Sequence, residues 1–491
     1  MKKVGHFREI GKDMVTYGLM SALSRMGNLL LLPILTRVFS TGEYGTVDII
    51  ATFVSLISTT VRFALPSAVR RYFREESDAS KRARLISTIL IFCAVAGLLI
   101  ILCISCFARP LAGVILNEES TYPFILLACW IAYAKALVSL PETVLRMERR
   151  IVAYNLINII TTVSFVLLSL FFVLEQERGV QGVFLGHLIS GVLALCIALV
   201  ITRTHLRFKF SFDDLKRVVK FSLPIYPSWM ISWGNAQIDR LLLLMLVGLG
   251  GVGLFGAAAR ISQLVEFLLV IFRQAWPPYA MIIFKEAERN EVYRRMFNYY
   301  SGIFAVLGIL LTAACPELFR LLVPEEYYQG YVVMPWLIGA AIVKNSGSLT
   351  NLGVLVSEKT GGISVASFVG LIANGLLGFI LISGFGIIGA SIGSFAASLV
   401  VTSIMWRYSV RRSDVRFDTK TIVAVLICYI LSSIMLLLVA CKGVGVSGLL
   451  LRLGITLLST SYILWKTMDK PVLYFFIGMS KRAVSALPGK G

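Results

Sequence analysis

The chain has 491 residues, of which 57% are hydrophobic and only 15% are charged. A soluble domain is usually about a quarter charged, and even a large core needs a polar surface around it. This composition excludes an ordinary soluble enzyme or binding domain. The formal net charge of +20 would suit a nucleic acid partner only if the basic residues formed a soluble surface, and they are instead divided among short loops.

The hydrophobic residues form runs of about 20 residues, the length that crosses a lipid bilayer as a helix. A helix bonds its backbone amides within its own segment, as lipid requires. We therefore predict an all-α membrane protein with about 14 transmembrane helices. The apolar runs lie near residues 14–36, 46–67, 85–107, 122–142, 151–174, 179–202, 221–247, 251–273, 293–315, 331–356, 361–382, 386–407, 421–440 and 446–465. Arg25, in the middle of the first run, does not suit a cleavable signal peptide.

Basic and acidic loops alternate along the chain. Loops after even-numbered runs are basic, as in Arg70–Arg84 and Arg203–Lys220, whereas loops after odd-numbered runs are acidic, as at Glu118–Glu119 and Glu325–Glu326. This is the positive-inside pattern, and it predicts that both termini face the cytoplasm. Topology therefore explains the basic charge without a nucleic acid partner.

Residues suited to metal or covalent chemistry are sparse. The eight cysteines are scattered through apolar runs, and the three histidines do not cluster with other ligand types. The longest polar stretches, Ser67–Arg84, Arg203–Lys220 and Arg273–Val292, are too short for a soluble catalytic domain. We therefore predict a protein that is not an enzyme, with no catalytic residue, no metal site and no cofactor.

The second half of the chain resembles the first at an offset near 207 to 211 residues. The corresponding segments are Ser40–Gly45 (STGEYG) and Gly248–Gly253 (GLGGVG), Arg62–Pro66 (RFALP) and Arg273–Pro277 (RQAWP), Lys135 and Lys344, and Gly179–Gly186 (GVQGVFLG) and Gly386–Gly393 (GIIGASIG). Several matches in the same order indicate an internal duplication. The glycines of the last pair are expected to let neighbouring helices approach closely.

The repeat unit contains six spans, an even number, so both copies enter the membrane from the same side. We predict two parallel six-helix lobes around a central cavity, the N-terminal lobe over residues 1–210 and the C-terminal lobe over 211–420. Two additional helices occupy 421–467, and a cytoplasmic tail follows over 468–491. Lobes of this kind suit transport by alternating access.

Charged residues within the predicted spans are the candidate functional residues, because a charge in the bilayer usually faces a partner or a wet cavity. The cations are Arg25, Arg62, Lys135, Arg240, Arg260 and Lys344, and the acids are Asp48, Asp239 and Glu266. The cationic excess predicts an anionic ligand, and phosphate is the natural partner of arginine. The polar run Lys344–Asn351 offers hydrogen bonds to sugar hydroxyls. The alternative is that each cation pairs with an acid and locks neighbouring helices together.

The segment LPILTRVFSTGEYGTVDI, residues 32–49, resembles the first-helix signature of bacterial polysaccharide flippases, in which an apolar helix ends in L-T-R before a turn and Y-G. Pro224–Pro227, Asp239-Arg240 and Gly251–Gly256 (GVGLFG) in spans seven and eight resemble the same family. The resemblance covers nearly the whole chain. It is to the Wzx-like flippases of the exporter superfamily that also contains multidrug antiporters and lipid II flippases.

The resemblance implies a flippase that turns a polyprenyl-diphosphate-linked oligosaccharide repeat unit from the inner to the outer leaflet of the bacterial plasma membrane. The product would serve assembly of O-antigen, capsule or exopolysaccharide. The implied partners are the lipid-linked oligosaccharide, membrane lipids, and the polymerase and chain-length proteins of a glycan pathway. Exchange of H⁺ or Na⁺ would drive transport, with Asp48, Asp239 or Glu266 as the carrier.

Three other functions are compatible with a multi-span membrane protein. A lipid II or teichoic-type flippase would use the same phosphate recognition. A multidrug cation antiporter would require a cavity rich in carboxylates and aromatic residues, the opposite charge to that found here. A membrane-embedded transferase would require a loop with clustered Asp or Glu, and the sequence has none.

Overall fold

The computed structural model describes residues 29–207, 209–283, 289–350, 361–413, 417–441 and 446–469. These residues are helical and contain no strand. The helices of the first half are α1 (Leu29–Val38), α2 (Thr41–Arg62), α3 (Leu65–Glu75), α4 (Ala79–Cys106), α5 (Ala108–Leu116), α6 (Tyr122–Met147), α7 (Ile151–Leu170) and α8 (Gly179–Thr202). A π-helical turn, Phe171–Glu175, extends α7.

The second half continues the all-α architecture. Its helices are α9 (Phe212–Ser222), α10 (Tyr226–Leu246), α11 (Leu249–Ile283), α12 (Arg289–Leu322), α13 (Met334–Thr350), α14 (Gly361–Ser413), α15 (Thr419–Cys441) and α16 (Val446–Thr467). Each of the fourteen predicted apolar runs overlaps one of these helices within the described residues. Ten helical stretches of the described residues are long and apolar enough to cross a membrane. The prediction of an all-α membrane protein is therefore confirmed.

Two of the long apolar stretches contain a break. Residues 361–382 and 386–407, predicted as separate spans, are two helices that meet at a kink at Gly386, where φ is 56° and ψ is −131°. The predicted run 221–247 is also divided. Its first residues end the short amphipathic helix α9, and α10 begins at Tyr226 with Pro227 in its first turn, where proline is well tolerated.

The chain divides into two compact units. One contains the described residues up to Arg260 together with Leu322–Tyr327 and Ser367–Gly393, and the other contains Ile261–Leu321, Tyr328–Ala366 and the described residues from Ser394 onward. The lobe boundaries at residues 210 and 420 stay a prediction. In the first unit, α6, α7 and α8 share a core that includes Leu145, Ile157 and Ala198. In the second, α12, α15 and α16 pack around Ile309, Tyr429 and Ile463.

The glycines at corresponding positions of the repeat have corresponding geometry. Gly179 and Gly386 both adopt left-handed φ values, 52° and 56°. Gly186 packs against Ser169 of the preceding helix so closely that a Cβ would lie 2.6 Å from the Ser169 nitrogen. A Cβ on Gly393 would lie 3.1 Å from the Gly378 Cα. These contacts support the duplication and confirm that the glycines permit close helix packing.

The N-termini of α2 and α11 carry the other duplicated glycine segment. Ser40 caps α2 in a capping box with Glu43, whose carboxylate accepts a hydrogen bond from the Ser40 N–H at 2.9 Å. A Cβ on Gly45 would overlap the Leu249 carbonyl oxygen, and a Cβ on Gly253 would overlap the Thr41 carbonyl oxygen. The two segments that correspond in sequence therefore pack directly against each other, backbone on backbone.

Candidate functional site

A polar stripe runs along α2 at helical spacing. Its members are Tyr44, Asp48, Thr52, Ser55, Thr59 and Arg62. Residues three or four apart lie on the same face of a helix, so these side chains share one side of α2. Most of the stripe is buried, including Asp48, which is 6% exposed. A buried polar face in an apolar helix requires partners on a neighbouring helix.

Helix α10 supplies those partners with a matching stripe. The Trp233 indole N–H donates to Ser55 Oγ at 2.8 Å, and Thr52 Oγ1 lies 3.4 Å from Gln237 Oε1. The Arg62 guanidinium lies over the ring of Trp229, 5.9 Å from its centre. The pairing of α2 with α10 fixes the direction in which their charged residues point.

Asp48 forms ion pairs with two arginines. Arg240 Nε lies 2.5 Å from Asp48 Oδ2, and Arg260 Nη2 lies 3.8 Å from Asp48 Oδ1. Arg260 also lies over the ring of Tyr44, 5.3 Å from its centre. A Cβ at Gly256 would lie 2.9 Å from Asp48 Oδ2, so glycine leaves the space that this carboxylate occupies. The Asp48 carboxylate contacts two guanidinium groups, and Arg240 also interacts electrostatically with Asp239.

A second group of charges lies on α6 and α2. Lys135 is exposed although Ala134 and Ala136 beside it are buried. It interacts electrostatically with Arg62 and with Glu142. The Arg62 guanidinium donates to the Ser58 carbonyl oxygen at 3.1 Å. Because this acceptor is neutral, the hydrogen bond does not neutralise the positive charge of Arg62. Arg62 and Lys135, predicted from sequence as neighbours in function, are thus brought together.

Glu142 is a residue that the sequence interpretation missed. It is half-buried and interacts electrostatically with Arg146, Arg62 and Lys135. It stands at the end of the predicted span 122–142 and is not among the candidate residues named from the sequence. The available signal was its spacing from Lys135, because residues seven apart lie on one helical face.

His187 connects the two groups of charges. It lies on α8, with its ring centre 4.8 Å from that of Phe165, and it interacts electrostatically with both Lys135 and Arg260. The candidate site is therefore a continuous arrangement in one compact unit, which we call the cation array. The cation array consists of Arg62, Lys135, Arg240 and Arg260, with Asp48, Glu142 and His187 among them.

The remaining predicted residues lie elsewhere or have a different setting. Asp239 is buried beside the array and interacts electrostatically with Arg240, whose direct partner is Asp48. Lys344 is exposed on α13 and Glu266 is half-buried on α11, both in the other compact unit. Arg25 lies outside the described residues.

The polar run that begins at Lys344 is partly bonded within its own unit. The Asn345 amide donates to the Ala341 carbonyl oxygen at 2.8 Å and accepts from Arg273 Nη1 at 3.1 Å. Ser346 is buried and donates to the Val343 carbonyl oxygen at 2.7 Å. Asn351, at the end of the run, lies outside the described residues, and sugar recognition by this run stays a prediction.

The chain matches a known protein family and several known proteins. The family described as "Polysaccharide biosynthesis protein" matches residues 10–284, which is more than half of the chain. The chain belongs to this polysaccharide biosynthesis protein family. The family resemblance predicted from residues 32–49 and from spans seven and eight is thereby confirmed. The matched segment contains every member of the cation array.

A curated relative of this polysaccharide biosynthesis protein is the Lsg locus putative protein 1 of Haemophilus influenzae. The two are 21% identical over 354 residues, which are 68% of this chain and 78% of the relative.

Solved structures with the same fold include two kinds of transporter. The lipid II flippase MurJ in an inward closed conformation matches with a TM-score of 0.68 and 14% identity, over 91% of this chain and 98% of that chain. The Vibrio cholerae MATE transporter VcmN in the bent form matches with a TM-score of 0.56 and 15% identity, over 84% of this chain and 99% of that one. At this identity the likeness shows the fold of the polysaccharide biosynthesis protein, a multi-pass helical transporter fold.

Proposed function

We propose that this protein is a flippase that moves a polyprenyl-diphosphate-linked oligosaccharide repeat unit from the inner to the outer leaflet of a bacterial plasma membrane. The observation that supports the proposal is the cation array. Positive charge within membrane-spanning helices is costly and is retained where it faces an anion or water. A diphosphate presents several oxygens to guanidinium and ammonium groups, which bind phosphate well.

The chemistry of each part of the substrate determines where that part would lie. The diphosphate would lie against Arg62, Lys135 and Arg260, the sugars would lie in the water-filled part of a cavity, and the polyprenyl chain would stay in lipid. Alternating access requires that each state release what it binds, so a moderate cationic excess serves transport better than a dense cluster. Asp48 and Glu142 supply that moderation within the array.

Two further parts of the proposal concern coupling and partners. Asp48 contacts two guanidinium groups, so we assign it to neutralising the array and keep Asp239 and Glu266 as carriers for H⁺ or Na⁺. The polymerase and chain-length proteins of a glycan pathway would receive the flipped product. On the proposed orientation, both termini face the cytoplasm. The protein catalyses no covalent step in this scheme.

The test compares array variants with a matched control in cells that make the glycan. Lys135→Ala and Arg260→Ala should each reduce surface glycan more than tenfold and should cause the lipid-linked repeat unit to accumulate, at normal protein levels. Lys135→Arg should retain activity because it keeps the charge. Arg178→Ala, which removes an exposed arginine outside the array, should behave as wild type. Wild-type surface glycan in both array variants would overturn the assignment.

A lipid II flippase is the second candidate, supported by the fold shared with MurJ at a TM-score of 0.68. Both substrates carry a lipid diphosphate, so array variants alone do not separate the two. Expression in cells depleted of their own lipid II flippase does. Growth of those cells would select lipid II, whereas lysis together with restored surface glycan in a glycan-flippase deletion strain would select the oligosaccharide repeat unit.

A further inference from the structure

The segment that joins α8 to α10, residues 203–222, is held firmly against α3 and α4. We call it the connector; Phe208 within it is outside the described residues. Two ion pairs hold its helix α9. Arg84 Nε lies 2.8 Å from Asp214 Oδ2, and Arg217 Nη2 lies 2.9 Å from Glu75 Oε2. The Arg217 guanidinium also lies over the ring of Tyr72, 4.2 Å from its centre.

The extended part of the connector is bonded to α4 through its backbone. The Arg207 N–H donates to Ser87 Oγ at 2.9 Å, and the Ser211 N–H donates to Thr88 Oγ1 at 3.2 Å. Thr88 is fully buried beneath these bonds, and Ser87 is 1% exposed. The connector is therefore a fixed surface with a defined outer side.

The outer side carries aromatic rings and ammonium groups. Phe210 is 41% exposed and Phe212 is 79% exposed, and their rings pack edge to face with centres 5.0 Å apart. Lys209, Lys216 and Lys220 are exposed, and within the described residues none of these three lies within 4.0 Å of a carboxylate. The connector as a whole contains six Lys or Arg residues and two Asp residues.

The position of this surface along α4 indicates what it faces. The apolar run of α4 begins near Leu85, and the connector bonds to Ser87 and Thr88, one turn further along the helix. Phe210 and Phe212 therefore lie at the level where the hydrocarbon region begins. Aromatic rings at that depth beside lysines are typical of a segment that lies in the membrane interface.

We propose that the outer side of the connector binds anionic phospholipid headgroups of the leaflet that it faces. Phe210 and Phe212 lie at the boundary of the acyl chains, and Lys209, Lys216 and Lys220 bind the phosphate groups above them. The surface is preformed, because the ion pairs and hydrogen bonds that hold the connector are made by other residues. The side chains of these two phenylalanines and three lysines take no part in them. Binding therefore requires little rearrangement.

The test is native mass spectrometry of the full-length, delipidated protein with added phosphatidylglycerol or phosphatidylcholine. The wild type should retain phosphatidylglycerol in preference to phosphatidylcholine. Lys209→Gln/Lys216→Gln/Lys220→Gln should lose that preference, since each lysine near an anionic surface contributes about fivefold in affinity. Phe210→Ser/Phe212→Ser should weaken retention of both lipids. Raising the salt concentration should reduce the preference for phosphatidylglycerol because these charges are exposed.

The matched control removes the same amount of charge elsewhere. Arg109→Gln/Arg178→Gln/Arg320→Gln replaces three exposed arginines outside the connector and should keep the wild-type preference. If the triple lysine variant does not fold, the single variant Lys216→Gln is tested in its place. Its affinity for phosphatidylglycerol should be about fivefold lower than that of the wild type. Equal phosphatidylglycerol retention by the wild type and the folded connector variant, or equal loss in the control, would overturn the proposal.

Discussion

The two halves of the repeat place corresponding cations in different surroundings. In the first half, Arg62 and Lys135 interact with each other and with the carboxylate of Glu142. In the second half, the counterparts are Arg273 and Lys344, and Arg273 donates to the neutral amide of Asn345 at 3.1 Å. The basic positions are present in both halves, and their described partners differ: a carboxylate interacts with Lys135, and an amide accepts from Arg273.

The sequence shows the same difference one step further. Glu142 lies seven residues after Lys135, and Asn351 lies seven residues after Lys344. The carboxylate of the first half therefore corresponds in sequence to an amide in the second half. The first half has ionisable groups whose charges offset one another, and the sequence of the second half has an amide where the first has Glu142. We infer that duplication fixed the helices and that the ligand chemistry then diverged between the halves.

The largest expected effect comes from breaking the ion pair of the first half. Asp48→Asn removes the carboxylate that Arg240 and Arg260 share and leaves two guanidinium groups without it, which should lower the free energy of unfolding by about 3–5 kcal/mol. Arg273→Met in the second half removes a hydrogen bond to an amide and should cost about 1.5–3 kcal/mol. Chemical unfolding in detergent micelles, followed by tryptophan fluorescence, measures both.

The double variant Asp48→Asn/Arg240→Met provides the control. It removes both partners of the closest contact, so its unfolding free energy should be higher than that of Asp48→Asn. If Asp48→Asn and Arg273→Met cost the same, the proposed difference between the halves would be wrong.

The next largest effect is expected at the close packing of the two duplicated glycine segments, where the halves are alike. Gly45→Ala and Gly253→Ala should each lower the free energy of unfolding by about 1–3 kcal/mol, because the new methyl group overlaps a backbone carbonyl oxygen of the other segment. Gly42→Ala is the control within the same helix, since no atom lies within 4 Å of its added Cβ. It should be neutral or slightly stabilising, as alanine is the better helix former. A loss at Gly42 equal to that at Gly45 would exclude close packing as the cause.

The sequence predicted the helices and the glycine contacts because both depend on local pattern. Apolar runs determine which segments enter lipid, and glycine at helical spacing marks close approach. The partner of Arg240 was not predictable in this way, since Asp48 is 192 residues away and no periodicity links them. Helix α9 was missed because it is short and strongly amphipathic, so it reads as a polar loop.

A smaller effect sharpens the role of the carboxylate in the first half. Glu142→Gln removes a negative charge that offsets Arg62 and Lys135, so an anionic lipid should bind about fivefold more tightly, as expected for about 1 kcal/mol of Coulomb energy. Farnesyl diphosphate binding to the purified protein measures the change. Glu142→Asp keeps the charge and should bind as the wild type does. Weaker binding by Glu142→Gln would mean that Glu142 orients the cations instead of offsetting them.

The smallest expected effect compares the helices that follow the sixth span of each half. Ser211 caps α9 by accepting from the Asp214 N–H at 3.4 Å, and Asp418 caps α15 by accepting from the Thr421 N–H at 3.2 Å and from the Thr421 hydroxyl at 2.7 Å. Each alanine variant should lower the free energy of unfolding by about 1 kcal/mol. The hydrogen bond from the Thr421 hydroxyl holds the pKa of Asp418 below its usual value.

The contributions of the two caps to the free energy of unfolding should therefore respond differently to low pH. A carboxyl group whose pKa is depressed in the folded state contributes stability above its unfolded pKa, about 3.9, and that contribution is lost as the pH falls through the lower folded value. The cost of Asp418→Ala should shrink when unfolding is measured at pH 3 instead of pH 7. The cost of Ser211→Ala should stay the same, because a serine hydroxyl does not titrate in this range. An equal pH dependence for both variants would assign the effect to the surrounding charges and not to the cap.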